Sequence, residues 1–171
     1  MLNSALIKDA ARTIGFDLCG VARCQKFTAE ADFLKQWIEA GNSLGLDYLS
    51  RNIDKRADVT QLVEGAKSVI VCGVSYKNAY SDGYPTSCRQ KIASYALTTD
   101  YHITIKRMLQ QLCAMLKEVC PTLTGRIFTD SAPVFEKRYA VEAGLGWIGR
   151  QSLLVNPKLG SMMHLGELVI D

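Results

Sequence analysis

The stretch Ser68–Tyr76, "SVIVCGVSY", decides how the rest of the chain is read. Its continuous β-branched apolar run has no polar alternation, the pattern of a strand covered on both faces. A strand of that kind needs helices above and below it, and the flanking sequence offers them. On the N-terminal side, Leu6, Ile7, Ala10, Ala11 and Ile14 recur at three and four behind a cap at Asn3 or Ser4, and Gly15 is placed to stop that helix. "FDLCGVA" reads as a short strand. A second helix from about Thr28 carries Phe33, Leu34, Trp37 and Ile38 on one face and stops at Gly41.

Downstream, Asp82-Gly83 and Tyr84-Pro85 mark a loop, and "KIASYALTTD" reads as an extended segment. Asp100 or Thr99 then caps a long helix striped by Ile105, Met108, Leu109, Leu112, Met115, Leu116 and Val119, which Pro121 ends. "GRIFTD" is a short strand, and Pro133 suits the first turn of a helix running to Gly144. "SLLVN" and "MMHLGELVI" are strand candidates parted by a Pro157–Gly160 turn. The expectation is one α+β domain over residues 1–171, a mixed β-sheet flanked by helices. The chain stops at "GELVID" as a strand finishes, which suggests a continuation beyond it.

Composition narrows the function classes. The hydrophobic share of 48% is that of a globular protein. No apolar run approaches the roughly 20 residues that span a bilayer, and the N-terminus lacks a signal-peptide pattern, so a soluble, cytoplasmic protein is expected. Twenty basic against 17 acidic side chains leave a net charge of +3, too mild to announce a nucleic-acid partner unaided. The pairs Lys55/Arg56, Lys106/Arg107 and Lys137/Arg138 read first as solvated helix faces. Six cysteines include no C-x-x-C pair, and only two histidines are present, so free thiols are expected and no metal site.

The chemistry concentrates in "FTDSAPVFEKRYAVEAGLGWIGRQSLL", Phe128–Leu154. Asp130 stands where a strand end meets a helix start, a position open to a catalytic acid and equally to an N-cap shared with Ser131. Gly144, Gly146 and Gly149 follow a helix and lack the Lys-Ser/Thr ending of a phosphate loop. They suggest tight turning or close approach to a flat ligand, with Trp147 as a possible core plug. Asp100-Tyr101-His102 forms a second polar cluster, where the histidine is either structural or a proton-handling group.

"SYALTTDYH…IKRML", "FTDSAPVFEKRYAVEAGLGWIGRQSLLV" and "LGSMMHLGELVI" together resemble, in order and spacing, the epoxyqueuosine reductases; "LGLDYLSRNIDKRADVTQLVEGAKSVIVCGVSY" extends the likeness over nearly the whole chain. That resemblance implies an oxidoreductase of queuosine biosynthesis that reduces epoxyqueuosine in a tRNA anticodon loop. It implies cobalamin held by this domain, in a fold similar to nitroreductase-like and B12-processing proteins. It also implies two [4Fe–4S] clusters in a following ferredoxin-like domain, for which this chain has no ligand run. By that resemblance Asp130 is the proton donor, a carboxyl that must hold its proton near neutral pH, which burial against the ring would favour. Arg56, Ala93, Gln151, Ser152, Leu154 and Leu165 fall in cofactor-lining segments. Asp100, Tyr101, His102 and Lys137 fall beside the substrate.

Three departures stand out. The family's Asp-Thr-Gly-Pro is Asp130-Ser131-Ala132-Pro133 here, its Gly-Lys-Asn is Gly149-Arg150-Gln151, and the glycine before Asp-Tyr-His is Thr99. The expectation is a monomeric cobalamin domain lacking the cluster domain and unable to turn over alone. The alternatives are a cobalamin carrier or processing protein, or a non-catalytic binding module.

Overall fold

A computed structural model describes residues 2–79, 83–85, 87, 89 and 91–171; Asp82 of the expected turn and Cys88 lie outside them. Helix α1 (Ser4–Ile14) starts where the Leu6 N–H donates to the Asn3 side chain at 3.0 Å and ends at Gly15, whose left-handed φ of 107° lets its N–H reach the Ala11 and Arg12 carbonyls. Strand β1 (Leu18–Arg23), helix α2 (Thr28–Glu39) and the short helix α3 (Ile53–Ala57) precede the central strand β2 (Ser68–Ser75). Helix α4 (Tyr101–Val119), strand β3 (Gly125–Phe128) and helix α5 (Glu136–Glu142) follow. A two-strand hairpin of β4 (Trp147–Ile148) and β5 (Leu154–Val155) leads into β6 (Met163–Ile170).

The main sheet has the order β1-β2-β6-β3. Val69, Ile70, Val71 and Cys72 of β2 are fully buried, as a run without polar alternation requires. Alternation divides their side chains between two cores. Val69, Val71 and Val169 join Tyr139 and Ala140 of α5 on one face. Ile70, Leu168 and Ile170 join Ile7 and Ala11 of α1 and Ile105, Leu109, Leu112 and Leu116 of α4 on the other. Burying each such aliphatic side chain stabilises the fold by roughly 1.5–3 kcal/mol, so both faces are secured and the result is three layers.

The sheet expected to be mixed is antiparallel at every described pairing. Strands β2 and β3, joined through α4, do run in the same direction, but β6 inserts between them and opposes both. The segment Ser94–Leu97 is a single 3-10 turn rather than extended chain. The glycine run forms the turn into β4, where Trp147 is 52% exposed and plugs no core. Helix α5 begins only at Glu136 and has no side-chain cap, so Asp130 is not its N-cap. Only Ala31 of α2 is buried; Phe33 is 68% exposed, and the expected core face opens outward instead. The five described cysteines are free, and Cys72 alone among them is buried. No described helix is long and apolar enough to cross a membrane.

Candidate active site

Strand β3 delivers the chain to a tight turn in which Asp130 takes a left-handed φ of 55°, rare for a residue with a side chain. Two interactions hold it there. Its N–H donates to Glu136 Oε1 at 2.8 Å, and Oδ2 accepts from the Tyr101 phenol at 2.6 Å. The carboxyl is 61% exposed, so any desolvation has to come from whatever closes over it.

His102 completes this side. Asp100 caps α4 by accepting from the His102 N–H at 2.9 Å, and the same oxygen lies 2.8 Å from Nδ1. These bonds hold the Asp100 carboxyl below the ordinary carboxylate range. The Asp100 carboxylate at Nδ1 orients the ring so that Nε2 faces Asp130 Oδ2 at 3.7 Å. Tyr101 is stacked between His102, with centroids 4.1 Å apart, and His164, 3.9 Å away and nearly parallel. Burial, then the bond to Asp130, pushes the Tyr101 phenol upward, so it stays an O–H donor. Burial, then the charge of His102, lowers His164 and keeps it neutral.

On the other side of Asp130 opens a cavity of about 1020 Å³, at the top of the roughly 300–1,000 Å³ range of small-molecule sites. Phe33, Leu34, Tyr48 and Leu49 form one wall, and the turn from Asp130 to Phe135 forms the other. Arg138 fastens the walls together, donating to Glu30 of α2 at 2.6 Å while pairing with Glu142 at 2.7 Å. Lys137 Nζ donates to the Ser152 carbonyl at 2.5 Å, which ties α5 to the β4–β5 loop at a residue with φ of 62°. Arg56 also lines the cavity, and its buried Nε has no partner.

Of the residues singled out by sequence, Asp130, Arg56, Lys137 and Ser152 meet at this cavity, and Asp100, Tyr101 and His102 meet around the Asp130 carboxyl. Ala93, Gln151, Leu154 and Leu165 are not among the cavity residues. Ala93 precedes the 3-10 turn, Gln151 is exposed in a turn, and Leu154 and Leu165 pack in or against the core. Sequence reasoning missed Glu136, Arg138 with Glu30, and Glu167. A glutamate inside the apolar run "LGELVI" was the one visible signal for the last.

Comparison with known proteins gives a consistent picture. The family model "Epoxyqueuosine reductase QueG, DUF1730" matches residues 56–131. The epoxyqueuosine reductase of Cyclobacterium marinum is 41% identical over 171 residues, which are 99% of this chain and 54% of that protein. That of Pseudomonas aeruginosa is 38% identical, covering 96% of this chain and 46% of the relative. The chain thus spans about half the length of the curated relatives it matches. Among solved structures, epoxyqueuosine reductase from Streptococcus thermophilus superposes with a TM-score of 0.88 at 25% identity, over 99% of this chain and 46% of the other. An epoxyqueuosine reductase crystallised with an epoxyqueuosine-modified tRNA-Tyr stem loop shares the fold at a TM-score of 0.83 and 24% identity, over 97% and 44%.

Proposed function

The chain belongs to the epoxyqueuosine reductase family, and from that premise we propose that it is the cobalamin-binding catalytic domain of such an enzyme, with Asp130 as the proton donor. The observation that carries this reading is the Asp130 carboxyl itself, set at the edge of a large, mainly apolar cavity and oriented by Tyr101. A cap or a core residue would need neither feature.

The cavity suits a large, flat, polar-rimmed cofactor. Its wall is mainly apolar, and Arg56 brings a buried N–H with no protein partner. Arg56, Tyr48 and the Lys137–Ser152 tie would hold cobalamin there, and Phe33 and Ile148 would pack on its apolar surface. When bound, cobalamin supplies an electron-rich cobalt, with electrons reaching it from iron–sulfur clusters on a further domain. The protein's own residues handle the proton and the substrate. Reducing the epoxide to an alkene takes up two electrons and two protons and releases the oxygen as water. Asp130 gives one proton to that oxygen as its bond to carbon breaks, so that no unstabilised alkoxide has to form, and solvent supplies the second. Tyr101 fixes the direction of the carboxyl, and the Asp100-oriented His102 ring lies beside the same oxygen atoms. A flipped-out modified base of a tRNA anticodon loop would enter between this cluster and the cavity.

The test is turnover by this chain joined to its cluster domain, acting on an epoxyqueuosine-containing stem loop. Asp130→Asn is expected to lower alkene formation by at least 10²-fold with RNA binding retained. An Asp130→Asn enzyme that keeps most of its activity overturns the assignment.

A further inference from the structure

Glu167 sits in the middle of β6, opposite Val71 of β2 and Phe128 of β3, and is fully buried. Its side chain shares the sheet face of Val69, Val71, Val169 and Tyr139. Neither carboxyl oxygen meets a protein hydrogen-bond donor. The polar group it faces is Glu136, the first residue of α5, with the Asp130 charge beyond it. Glu136 in turn spends Oε1 on the Asp130 N–H. A strand that sets a glutamate between Leu165 and Val169 along its length and between Val71 and Phe128 across the sheet has no packing use for a carboxyl.

We infer that Glu136 and Glu167 form a buried acid pair that shares one proton and positions Asp130, with Glu167 as the neutral donor and Glu136 as the acceptor that grips the Asp130 N–H. An isolated carboxylate in this apolar setting is too costly to persist, so Glu167 remains protonated and carries an O–H. Two carboxyls facing each other away from water cannot both ionise, so one proton belongs to the pair. With Glu167 supplying it, Glu136 keeps a full acceptor for the turn. Burial, the first cause in each case, pushes Glu167 well up and Glu136 up to about 7. The remaining charges are assigned as well: Asp130 raises both, Arg56 and Lys137 lower Glu136, and Cys72 on β2 interacts with Glu167. Glu167 is therefore a positioning residue, acting on Asp130 through Glu136. The role of Asp130 rests on the proposed function; the acid pair does not.

The decisive experiment uses this chain without cofactor or RNA. Infrared spectra with 13C-labelled glutamate should contain the carbonyl stretch of a protonated glutamate at about pH 9, above the Glu136 step, absent from Glu167→Gln. The Asp130 amide proton, followed by NMR, should titrate with a midpoint near 7 in the wild type and lose that step in Glu136→Gln. Glu167→Gln keeps a donor toward Glu136 and should retain the slow exchange of the Asp130 amide, whereas Glu167→Leu should speed it at least tenfold while remaining folded. No protonated glutamate at about pH 9, or an Asp130 amide indifferent to pH and to both Glu167 variants, overturns the inference. Because no readout needs turnover, its failure is separable from failure of the reductase reading.

Discussion

The Tyr101 phenol donates to Asp130 Oδ2 at 2.6 Å, joining the first turn of α4 to the turn after β3 across 29 positions of sequence. Two segments separately legible as polar clusters thus form one device. A hydrogen bond of this kind contributes about 0.5–1.5 kcal/mol, enough to decide which way a half-exposed carboxyl points. Tyr101→Phe in the assembled enzyme should lower kcat on the order of tenfold and leave KM for the RNA near its wild-type value. A rise in KM with kcat unchanged would make Tyr101 a substrate contact instead.

The buried carboxyls give stability a pH dependence with a definite sign. Glu136 is raised from the ordinary 4.5 to about 7, so its contribution is intact below pH 4.5 and lost as pH rises through about 7. The shift corresponds to about 3–4 kcal/mol at most, less whatever the shared proton spares. Urea midpoints should therefore fall for the wild type between pH 5 and 8 and stay flatter for Glu136→Gln. Parallel curves for the two proteins would contradict the assignment.

Arg138 is the strut between α2 and α5, bonded to Glu30 and Glu142 and lying over Phe27 at 5.3 Å. Its partners are only about one-third exposed, which lifts it above an ordinary surface pair. Arg138→Ala should cost about 1–2 kcal/mol by denaturant unfolding. Arg12→Ala, whose pairing with Asp9 is solvent-exposed, should cost under about 0.5 kcal/mol. Equal effects would remove the argument for a strut.

Gly20 on β1 touches the end of α5. A Cβ there would stand 2.3 Å from the Ala143 carbonyl oxygen and 2.9 Å from the Ala143 Cβ, and backbone cannot step aside cheaply. Gly20→Ala is expected to destabilise by about 1–3 kcal/mol and to loosen the α5 face of the cavity. A thermal midpoint within error of the wild type would refute that contact.

How much of this was legible in the sequence depends on the range of the forces involved. Helices α1 and α4 and strand β2 could be read directly, because caps at Asn3 and Asp100 and the apolar periods are local signals. The insertion of β6 between β2 and β3 is a long-range choice, so strand direction was not readable. The exposed face of α2 misled for a physical reason: Phe33 and Leu34 have core periodicity yet line a cavity, and periodicity registers apolar faces without saying what covers them. Asp130 was ambiguous between cap and acid until its φ of 55° and its Tyr101 bond settled against the cap. Glu136 was hidden as an ordinary first-turn acid. Glu167 was readable in principle, since one charge amid "LGELVI" contradicts the burial of its neighbours.

The central claim is that the cavity beside Asp130 holds cobalamin, and a visible-absorption titration of cob(II)alamin with this chain tests it most directly. The account predicts a saturable one-to-one change of the cobalamin spectrum, weakened at least tenfold by Phe33→Asp and by Arg56→Ala, and retained in Asp130→Asn. A folded chain that leaves the spectrum unchanged, or binding indifferent to Phe33 and Arg56, would contradict it.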